Sequence, residues 1–394
     1  MEDRSDAARR TRPTSGELPV TESVTAVPVA SARGAYPVLV GRGLLARLPT
    51  IVREHAPAHR YAVISDDTVA ELYGRAATGV LQRAGAAARL FTFPAGEASK
   101  TRDAWARISD EMLAWGMGRD GVVVAVGGGV TGDLAGFVAA TYLRGVPIVQ
   151  VPTSLLAMVD ASVGGKTAVD VPAGKNLVGA FHPPRVVISD PDAIATLPAE
   201  EVAQGLAEAL KHGAVLDRAY LEALVRDAPA LRAGEPERVR RVVVRSVEIK
   251  ARVVADDEHE AGFRQILNFG HTVGHALEAA SGYTLRHGLA VAAGMIVEAN
   301  IGERLGVTES GTSDALRRAA EAIGLGRLSP QAVEGTAWLA FLTSDKKSRG
   351  GAARYVLLRR VGQVDSRAGW THEVPDAVVR ASAAAVGLCG DRSA

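Results

Sequence analysis

The chain has 394 residues, of which 47% are hydrophobic and 23% are charged, and its formal net charge is +1. This length exceeds one ordinary hydrophobic core and predicts two domains, while a charge so close to zero argues against nucleic acid or an anionic membrane as the principal partner. The single cysteine, Cys389, excludes an internal disulfide and a cysteine-based zinc site. A bound metal would therefore be held by histidines and carboxylates.

The first 24 residues are rich in Arg, Ser, Thr and Pro and lack the apolar segment of a secretory signal. We expect residues 1–24 to be a disordered tail. The rest of the chain contains no run of about 18 apolar residues, so we expect no membrane span and predict a cytoplasmic location.

Short runs rich in β-branched residues alternate with alanine-rich helical stretches in the first half of the chain. The runs are Tyr61–Ile64, Gly121–Val126, Val146–Val151 and Val186–Ile188. This alternation is typical of an α/β domain with a largely parallel sheet. We predict a nucleotide-type α/β domain over residues 25–195.

The pattern changes after Leu197, where strand-like runs become rare. Helices are predicted over 199–226, 237–255, 268–281, 288–305 and 312–323. We therefore expect a helical domain over residues 196–394.

A glycine-rich loop follows the second strand-like run. The strand leads directly into Gly127-Gly-Gly-Val-Thr-Gly-Asp133, and a helix is predicted over Leu134–Leu143. The loop lacks the usual dinucleotide spacing, and such turns also occur for structural reasons. Its position between a strand and a helix nevertheless predicts a pyrophosphate site. Asp66, which follows another strand, could bind ribose hydroxyls or cap a helix.

Further charged residues flank this region. Glu97 and Lys100 could border the same nucleotide, or belong to a solvated loop. Lys166 and Lys175 adjoin glycines in an otherwise uncharged stretch, which suits an anion site. The alternative is that they are ordinary surface charges, and the spacing does not distinguish phosphate from carboxylate.

A histidine cluster is the strongest chemical signal. His271 and His275 are four residues apart in Asn268-Phe-Gly-His271-Thr-Val-Gly-His275, and therefore share a helix face, while His287 follows twelve residues later. With Glu208, two imidazoles would form a common catalytic zinc arrangement that leaves one position for a substrate oxygen. Spacing alone does not select Glu208, His271 and His287 over the other histidines, His212, His259 and His275.

Seven segments of the chain, in this order, resemble the 3-dehydroquinate synthase family of sugar phosphate cyclases. They are Gly127–Asp133, Pro152–Lys166, Gly174-Lys175-Asn176, Glu208–Lys211, Asn268–His275, His287-Gly288 and Asp345-Lys346-Lys347. The resemblance implies a Rossmann-like N-terminal nucleotide-binding domain, an all-α C-terminal metal- and substrate-binding domain, and an active site between them. It further implies NAD, one divalent metal (Zn²⁺ or Co²⁺) and a homodimer. The implied reaction, a step of the shikimate pathway, converts 3-deoxy-D-arabino-heptulosonate 7-phosphate to 3-dehydroquinate and phosphate.

The resemblance also assigns residues to roles. The metal ligands would be Glu208, His271 and His287. The NAD site would comprise Asp66, Glu97, Lys100, Gly128, Gly129, Val130, Asp133, Thr153, Ser154, Lys166, Lys175 and Thr196. The substrate and catalytic positions would be Arg144, Asp160, Lys166, Asn176, Lys211, Lys250, Glu260, Arg264, Asn268, His275, Lys346 and Lys347, with Arg144 reaching the substrate phosphate of a neighbouring subunit.

In the implied chemistry, transient oxidation at C4 permits phosphate elimination, after which re-reduction, ring opening and an aldol step close the carbocycle. The substrate phosphate is expected to act as the internal base, with His275 handling protons and Lys211 stabilising charge. Leu289 departs from the Glu or Ala found in relatives, and we expect it to remove a possible carboxylate beside the metal.

Other functions remain open at this point. One alternative is a related cyclase acting on an amino-substituted analogue or on sedoheptulose 7-phosphate. Another is an NAD- and metal-dependent alcohol or glycerol-phosphate dehydrogenase, and a third is a non-catalytic NAD- or metal-binding regulatory protein. Phosphate release without NADH accumulation would indicate a cyclase, whereas net NADH accumulation would indicate a dehydrogenase.

Overall fold

The computed structural model describes residues 24–326, 337–342 and 353–388. Apart from Val24, the predicted tail lies outside the described residues, as do Lys346, Lys347 and Cys389. Among the described helices, none has the length and hydrophobicity needed to cross a membrane.

The first part of the chain forms a seven-stranded sheet. Its strands are β1 (Thr25–Val29), β2 (Tyr36–Val40), β3 (Arg60–Asp66), β4 (Ala87–Phe93), β5 (Val122–Gly127), β6 (Ile148–Pro152) and β9 (Val186–Ser189). Their order is β1-β2-β9-β6-β5-β3-β4. The strands from β2 to β4 run parallel, and β1 pairs antiparallel at one edge. All four predicted runs are strands of this sheet, which confirms the Rossmann-like prediction.

Helices cover both faces of the sheet, as buried parallel strands require. They are α1 (Leu48–His55), α2 (Asp67–Val69), α3 (Arg75–Arg83), α4 (Arg102–Ala114) and α5 (Gly129–Thr141), with a π-turn at Ala70–Gly74. Val63 and Val124 face one apolar cluster, while the adjacent Ile64 and Ala125 face the other. This two-residue alternation explains why the strands read as continuous apolar runs.

Helix α5 begins earlier than the sequence predicted. It starts at Gly129, so the predicted start at Leu134 is wrong and Asp133 lies within the helix. The reason is local, because the turn between β5 and α5 contains only Gly128 outside both elements. A Cβ on Gly127 would overlap the side chain of Thr131, so this tight turn requires glycine there.

A hairpin that the sequence did not predict follows β6. Its antiparallel strands are β7 (Lys166–Val171) and β8 (Gly174–Phe181). Glycines and lysines obscured the strand pattern, and most of β8 is exposed, so no alternation of buried residues marks it. The hairpin carries Lys166, Lys175 and Asn176.

The second part is mainly helical, as predicted. Its helices are α6 (Ala199–Leu216), α7 (Arg218–Arg226), α8 (Ala228–Arg232), α9 (Pro236–Asp256), α10 (His271–Ala280), α11 (His287–Arg304), α12 (Thr312–Ala322) and α13 (Asp376–Ala385). Two small ladders pair β10 (Arg354–Tyr355) with β13 (His372–Glu373) and β11 (Leu358–Arg360) with β12 (Gln363–Val364). The predicted helix 199–226 is broken at Asp217, whose carboxylate caps α7 by accepting from the Tyr220 N–H at 3.0 Å.

The largest apolar cluster joins the two parts. Val29, from the edge strand β1, and Val38, from its neighbour β2, share it with Leu206, Val243 and Val291 from α6, α9 and α11. The helical part therefore packs directly on one end of the sheet. The division of the chain into domains at residues 195 and 196 stays a prediction.

Candidate active site

A cleft of about 1030 Å³ is lined by residues from the sheet and from the helices. It opens at the carboxyl ends of β3 and β5, where the chain continues towards opposite edges of the sheet. Such switch points are the usual ligand sites of open parallel sheets. The predicted residues that line it are Asp66, Glu97, Lys100, Gly128, Gly129, Val130, Asp133, Thr153, Ser154, Asp160, Lys166, Lys175, Asn176, Lys211, Lys250, Glu260, Arg264, Asn268, His271, His275 and His287.

Three of the described predicted residues lie outside this lining, namely Glu208, Thr196 and Arg144, and Glu208 is fully buried behind it. Thr196 ends the 3₁₀ helix Pro191–Thr196, and its hydroxyl lies 2.8 Å from the hydroxyl of Tyr73. Arg144 ends a short turn with a positive φ of 72°. It belongs to no part of the lining of its own chain's cleft.

Helices α6, α10 and α11 bring one carboxylate and two imidazoles together. Potential ligand atoms of Glu208, His271 and His287 all lie within 4.8 Å of one another. The Nε2 atoms of His271 and His287 lie 3.6 and 3.3 Å from Glu208 Oε1. These are the three residues that the resemblance assigned to the metal.

The histidines left open by spacing occupy different places, although ligand atoms of His275 with Glu278 and His287, and of His212 with Asp160 and Glu208, also lie within 4.8 Å of one another. His259 packs against Phe181 with ring centroids 4.9 Å apart, away from the cluster. His212 is fully buried, and its Nε2 lies 3.6 Å from Asp160 Oδ1. His275 is exposed to the cleft, with its ring centroid 5.2 Å from that of His271.

Glu208 fits a cation ligand. It is fully buried, and among the described residues neither of its oxygens has a well-formed hydrogen bond, although Lys211 and the two imidazoles contact it. An unsatisfied buried carboxylate is costly unless it is paired or coordinates a metal. The donor set of one carboxylate and two imidazoles suits Zn²⁺ or Co²⁺.

The protonation states of the cluster reflect the carboxylate at its centre. Although burial raises the pKa of Glu208, the charges of Lys211 and His271 hold it well below its ordinary value. Burial lowers the pKa of His271. Burial also disfavours a charged His287, yet the carboxylates of Glu208 and Glu278, close to its two ring nitrogens, raise its pKa to about 10. A metal binds neutral imidazole, so a divalent cation would displace this proton.

Glu278 is a site residue that the sequence analysis missed. It is buried on α10, and its Oε1 lies 3.4 Å from His287 Nδ1, the ring nitrogen that faces away from Glu208. A carboxylate on the second nitrogen orients a metal-binding imidazole and raises its basicity. The available signal was its position three residues after His275, which places both on one face of α10.

Leu289 does not affect the cluster in the expected way. Its side chain packs against the large apolar cluster and lines a separate cavity of about 450 Å³, together with Ala292 and Ile296. It is absent from the lining of the cleft. The carboxylate beside His287 is supplied by Glu278 instead.

The sheet side of the cleft is organised around a buried lysine. Lys100 Nζ donates to Asn176 Oδ1 at 2.7 Å and lies 2.8 Å from Glu97 and 3.3 Å from Asp133. Although burial favours its neutral form, these acids raise the pKa of Lys100 to about 12. Burial raises the pKa of Asp133 to about 6. A permanent cation thus ties α5, the hairpin and the loop before α4 together.

Asp66 has one of the two roles considered for it, that of a helix cap, and its role towards ribose stays a prediction. It caps α2 by accepting from the Val69 N–H at 2.9 Å, accepts from the Thr131 hydroxyl at 3.1 Å, and also lines the cleft. The first turn of α5, with Gly129 and Val130, faces the same space. Backbone N–H groups at this helix start suit a pyrophosphate.

The helical side of the cleft is rich in cations. Lys250 Nζ donates to the side chain of Asp160 at 2.7 Å and to its carbonyl at 2.6 Å. Burial lowers the pKa of Lys250 to about 8. Arg264 is buried and donates to the Glu258 carbonyl at 2.6 Å.

Glu260 links two further predicted residues on this side. Its carboxylate accepts from Asn268 Nδ2 at 2.6 Å and contacts Lys166 Nζ. Together with Lys211, Lys250 and Arg264, Lys166 gives this wall four cationic side chains. A substrate carrying a phosphate and a carboxylate matches such a wall.

The parallel sheet, the switch-point cleft and the Glu/His/His cluster belong to a chain whose similar solved structures include sugar phosphate cyclases. Among solved structures, 2-deoxy-scyllo-inosose synthase complexed with carbaglucose-6-phosphate, NAD⁺ and Co²⁺ matches with a TM-score of 0.82 and 26% identity, over 91% of this chain and 98% of that one. 2-epi-5-epi-valiolone synthase from Streptomyces hygroscopicus, with NAD⁺ and Zn²⁺ bound, matches with a TM-score of 0.81 and 28% identity, over 89% of this chain and 96% of that one. A probable glycerol dehydrogenase from Sinorhizobium meliloti, at 0.60 and 17% over 88% and 94%, shares the fold alone.

Sequence comparison is more specific. The models of the 3-dehydroquinate synthase N-terminal and C-terminal regions match residues 90–204 and 205–348. The 3-dehydroquinate synthase of Symbiobacterium thermophilum is 47% identical over 84% of this chain and 92% of its own, and that of Caulobacter vibrioides is 44% identical over 86% and 94%. The chain belongs to the 3-dehydroquinate synthase family. The predicted reaction, formation of 3-dehydroquinate and phosphate from 3-deoxy-D-arabino-heptulosonate 7-phosphate, is confirmed.

Proposed function

We propose that the cleft carries out this reaction with the residues that the sequence analysis assigned to it. The observation that carries the assignment is the buried Glu208 carboxylate, which faces His271 and His287 at the boundary between a nucleotide-type sheet and a wall of cations. A simple alcohol dehydrogenase would not require that wall. The assignment therefore favours a cyclase acting on a substrate with two anionic groups.

NAD and one divalent metal, Zn²⁺ or Co²⁺, are the cofactors of the proposal. When bound, the metal supplies a Lewis acid for the substrate hydroxyl and NAD supplies a reversible hydride acceptor. The first turn of α5, with Gly129 and Val130, would hold the pyrophosphate, and Asp66 would bind the ribose hydroxyls. Asp133 and Lys100 support this wall through their ion pair.

The remaining predicted cofactor residues complete the same wall. Thr153 and Ser154 follow β6, next to the end of β5, while Glu97 and Lys175 border the opening, with their charged atoms 3.9 Å apart. Thr196 is further away and supports the wall through Tyr73.

The metal cluster holds its geometry through neighbouring charges. Lys211 balances the buried charge of Glu208, and Glu278 fixes the ring of His287. With these contacts in place, the Nε2 atoms of His271 and His287 face Glu208 Oε1, and the three side chains would bind one cation between them.

The cationic wall orients the substrate. Lys250, Asn268 and His275 hold the phosphate that leaves, and Lys166 with Arg264 holds the carboxylate and hydroxyls through charge-assisted hydrogen bonds. The exposed His275 ring is the group that passes a proton to and from solvent at its ring nitrogens. Glu260 positions Lys166 and Asn268, and Asp160 positions Lys250.

Assembly and location complete the proposal. We expect a homodimer in which Arg144 reaches the partner's cleft, since it does not line its own, and exposed Leu177, Val178 and Phe181 on β8 offer an apolar surface for contact. We also expect the protein in the cytoplasm. Light scattering tests the dimer, and cell fractionation tests the location.

One assay separates the candidate functions. Protein loaded with NAD and zinc is given 3-deoxy-D-arabino-heptulosonate 7-phosphate while released phosphate and NADH absorbance are followed together, with and without a chelator. We expect phosphate release that the chelator abolishes, with no NADH accumulation. Stoichiometric NADH would indicate a dehydrogenase, and no phosphate release would contradict the proposed substrate in favour of an amino-substituted or other sugar phosphate.

A further inference from the structure

A second polar cavity, of about 340 Å³, lies outside the cleft. Its walls are the turn between β1 and β2, with Arg33 and Gly34, and the segment before β9, with His182 and Arg185. None of its lining residues also lines the cleft. The two sites are therefore separate.

Two guanidinium groups face this cavity without a carboxylate partner. Among the described residues, neither Arg33 nor Arg185 forms an ion pair, and the acid of the lining, Glu54, lies 3.8 Å from His55 instead. Guanidinium groups present several donors in a plane that matches phosphate and carboxylate oxygens. The lining therefore carries two guanidinium groups without an ion pair among the described residues, against the single carboxylate of Glu54.

A buried histidine orients one of the guanidinium groups. His182 is 5% exposed, and its Nε2 lies 2.8 Å from the Val146 carbonyl, to which it must donate. Its Nδ1 is then the acceptor for Arg33 Nη1 at 3.3 Å. Burial, together with the nearby Arg33 and Arg185, lowers the pKa of His182. The imidazole is neutral and holds Arg33 in place without reducing the charge of the site.

The turn that carries Arg33 is itself held in shape. Ser31 Oγ donates to the Gly34 carbonyl at 2.6 Å, and the Gly34 N–H donates back to the Ser31 carbonyl at 3.0 Å. Gly34 has a φ of 98°, which favours glycine. The Ala32 N–H donates to Glu258 at 2.7 Å, which ties the turn to the second part of the chain.

We infer that this cavity is an oxyanion site, which binds a phosphate or carboxylate group between Arg33 and Arg185. Inorganic phosphate, a product of the reaction, has the chemistry that the site recognises. A small dicarboxylate has the same chemistry from another source.

The cavity lies directly behind a loop of the cleft. Tyr36 is one of its lining residues, and its hydroxyl accepts from the backbone N–H of Gly164 at 2.9 Å. The backbone N–H of His182 donates to the Gly165 carbonyl at 2.7 Å. Lys166 follows in the chain and lines the cleft. Because the cationic wall of the cleft also suits phosphate and carboxylate, anion binding in the cavity must be measured with the cleft already filled.

The test uses the full chain with NAD and zinc, its cleft saturated with a non-reacting phosphonate analogue of the substrate. Inorganic phosphate and malonate are titrated separately by calorimetry. We expect one further equivalent of at least one of them to bind, and binding to weaken at least about tenfold in the Arg33→Gln/Arg185→Gln double variant. Binding of phosphate would indicate the product of the reaction as the ligand, and binding of malonate would indicate a small dicarboxylate.

Two further variants make the result specific. Arg83→Gln removes an exposed arginine at the end of α3, outside both cavities, and is expected to bind like the wild type. Arg185→Lys keeps the charge and is expected to retain binding within a few-fold. The inference is overturned if neither anion binds, or if the double variant binds as tightly as the wild type. Phosphate release in the cleft is measured separately, so failure here leaves the proposed function untouched.

Discussion

At the scale of single residues, the site depends on a carboxylate that the fold leaves unsatisfied. Glu208 is fully buried, and its neighbours supply positive charge without well-formed hydrogen bonds to its oxygens. Glu278 faces the other side of the His287 ring, 3.4 Å from Nδ1. His287 is thus held between two carboxylates, one on each nitrogen.

Glu278→Gln is expected to weaken zinc binding by about 10- to 100-fold, because the amide no longer raises the basicity of the His287 ring. Competition with a chromophoric chelator measures the affinity. Glu71→Gln, which removes an exposed carboxylate paired with Arg75 far from the cleft, is the matched control. Equal zinc affinity in Glu278→Gln and the control would show that Glu278 does not support the metal site.

The lowered pKa of Lys250 predicts that kcat/KM for the substrate depends on pH. Burial lowers its pKa to about 8, so it is charged below that pH and neutral above it. Because a neutral amine holds phosphate poorly, kcat/KM for the substrate is expected to fall as pH rises through about 8. The pH profile of kcat/KM, which reports groups of the free enzyme, measures this.

Lys250→Arg provides the control for that profile. An arginine remains charged throughout the range, so the decline near pH 8 is expected to disappear even if overall activity is lower. Persistence of the same decline in Lys250→Arg would assign it to another group.

At the scale of elements, the proposed metal site of Glu208, His271 and His287 depends on how closely α10 approaches α11. Gly270, just before α10, has a φ of 80°, and its N–H donates to Glu298 of α11 at 2.8 Å. Burial raises the pKa of Glu298 to about 8. A Cβ on Gly294 of α11 would overlap the Gly270 carbonyl, so the two helices touch through backbone atoms.

Gly294→Ala is expected to push α10 away from α11 and separate His271 from His287. We expect a loss of about 1–3 kcal/mol in the free energy of unfolding and weaker zinc binding. Chemical denaturation and zinc competition measure the two effects. Gly79→Ala, at a half-buried position of α3 where only the flexible end of Arg83 is near, should keep full zinc affinity.

The result for Gly294→Ala has a clear contrary outcome. If the variant binds zinc as tightly as Gly79→Ala, the close approach of the helices does not set the distance between the two histidines.

Sequence patterns predicted the strands and helices whose buried residues form a regular pattern along the chain. The strands β3, β5, β6 and β9 are buried on both faces and read as apolar runs. The β7–β8 hairpin was missed because its order comes from pairing and from contacts such as that of Asn176 with Lys100, and not from burial. Glu278 was missed because its role follows from the packing of α10 on α11.

At the scale of the whole molecule, the cleft exists because two kinds of structure meet. The sheet supplies backbone N–H groups at Gly129 and a buried Lys100, and the helices supply the metal cluster and most of the cations. The shared apolar cluster of β1, β2, α6, α9 and α11 sets this arrangement. No local sequence pattern reveals such a contact between distant segments. The sequence therefore predicted most residues of the site, but not the residues that contact them in the fold, such as Glu278.

The central claim is that Glu208, His271 and His287 hold the metal on which turnover depends. Its most direct test is the zinc content of dialysed His271→Ala, measured beside His59→Ala, which removes a surface histidine paired with Asp120. We expect about one zinc per chain in the wild type and in His59→Ala, and none, with no phosphate release, in His271→Ala. One zinc per chain retained by His271→Ala would contradict the assignment of the metal site.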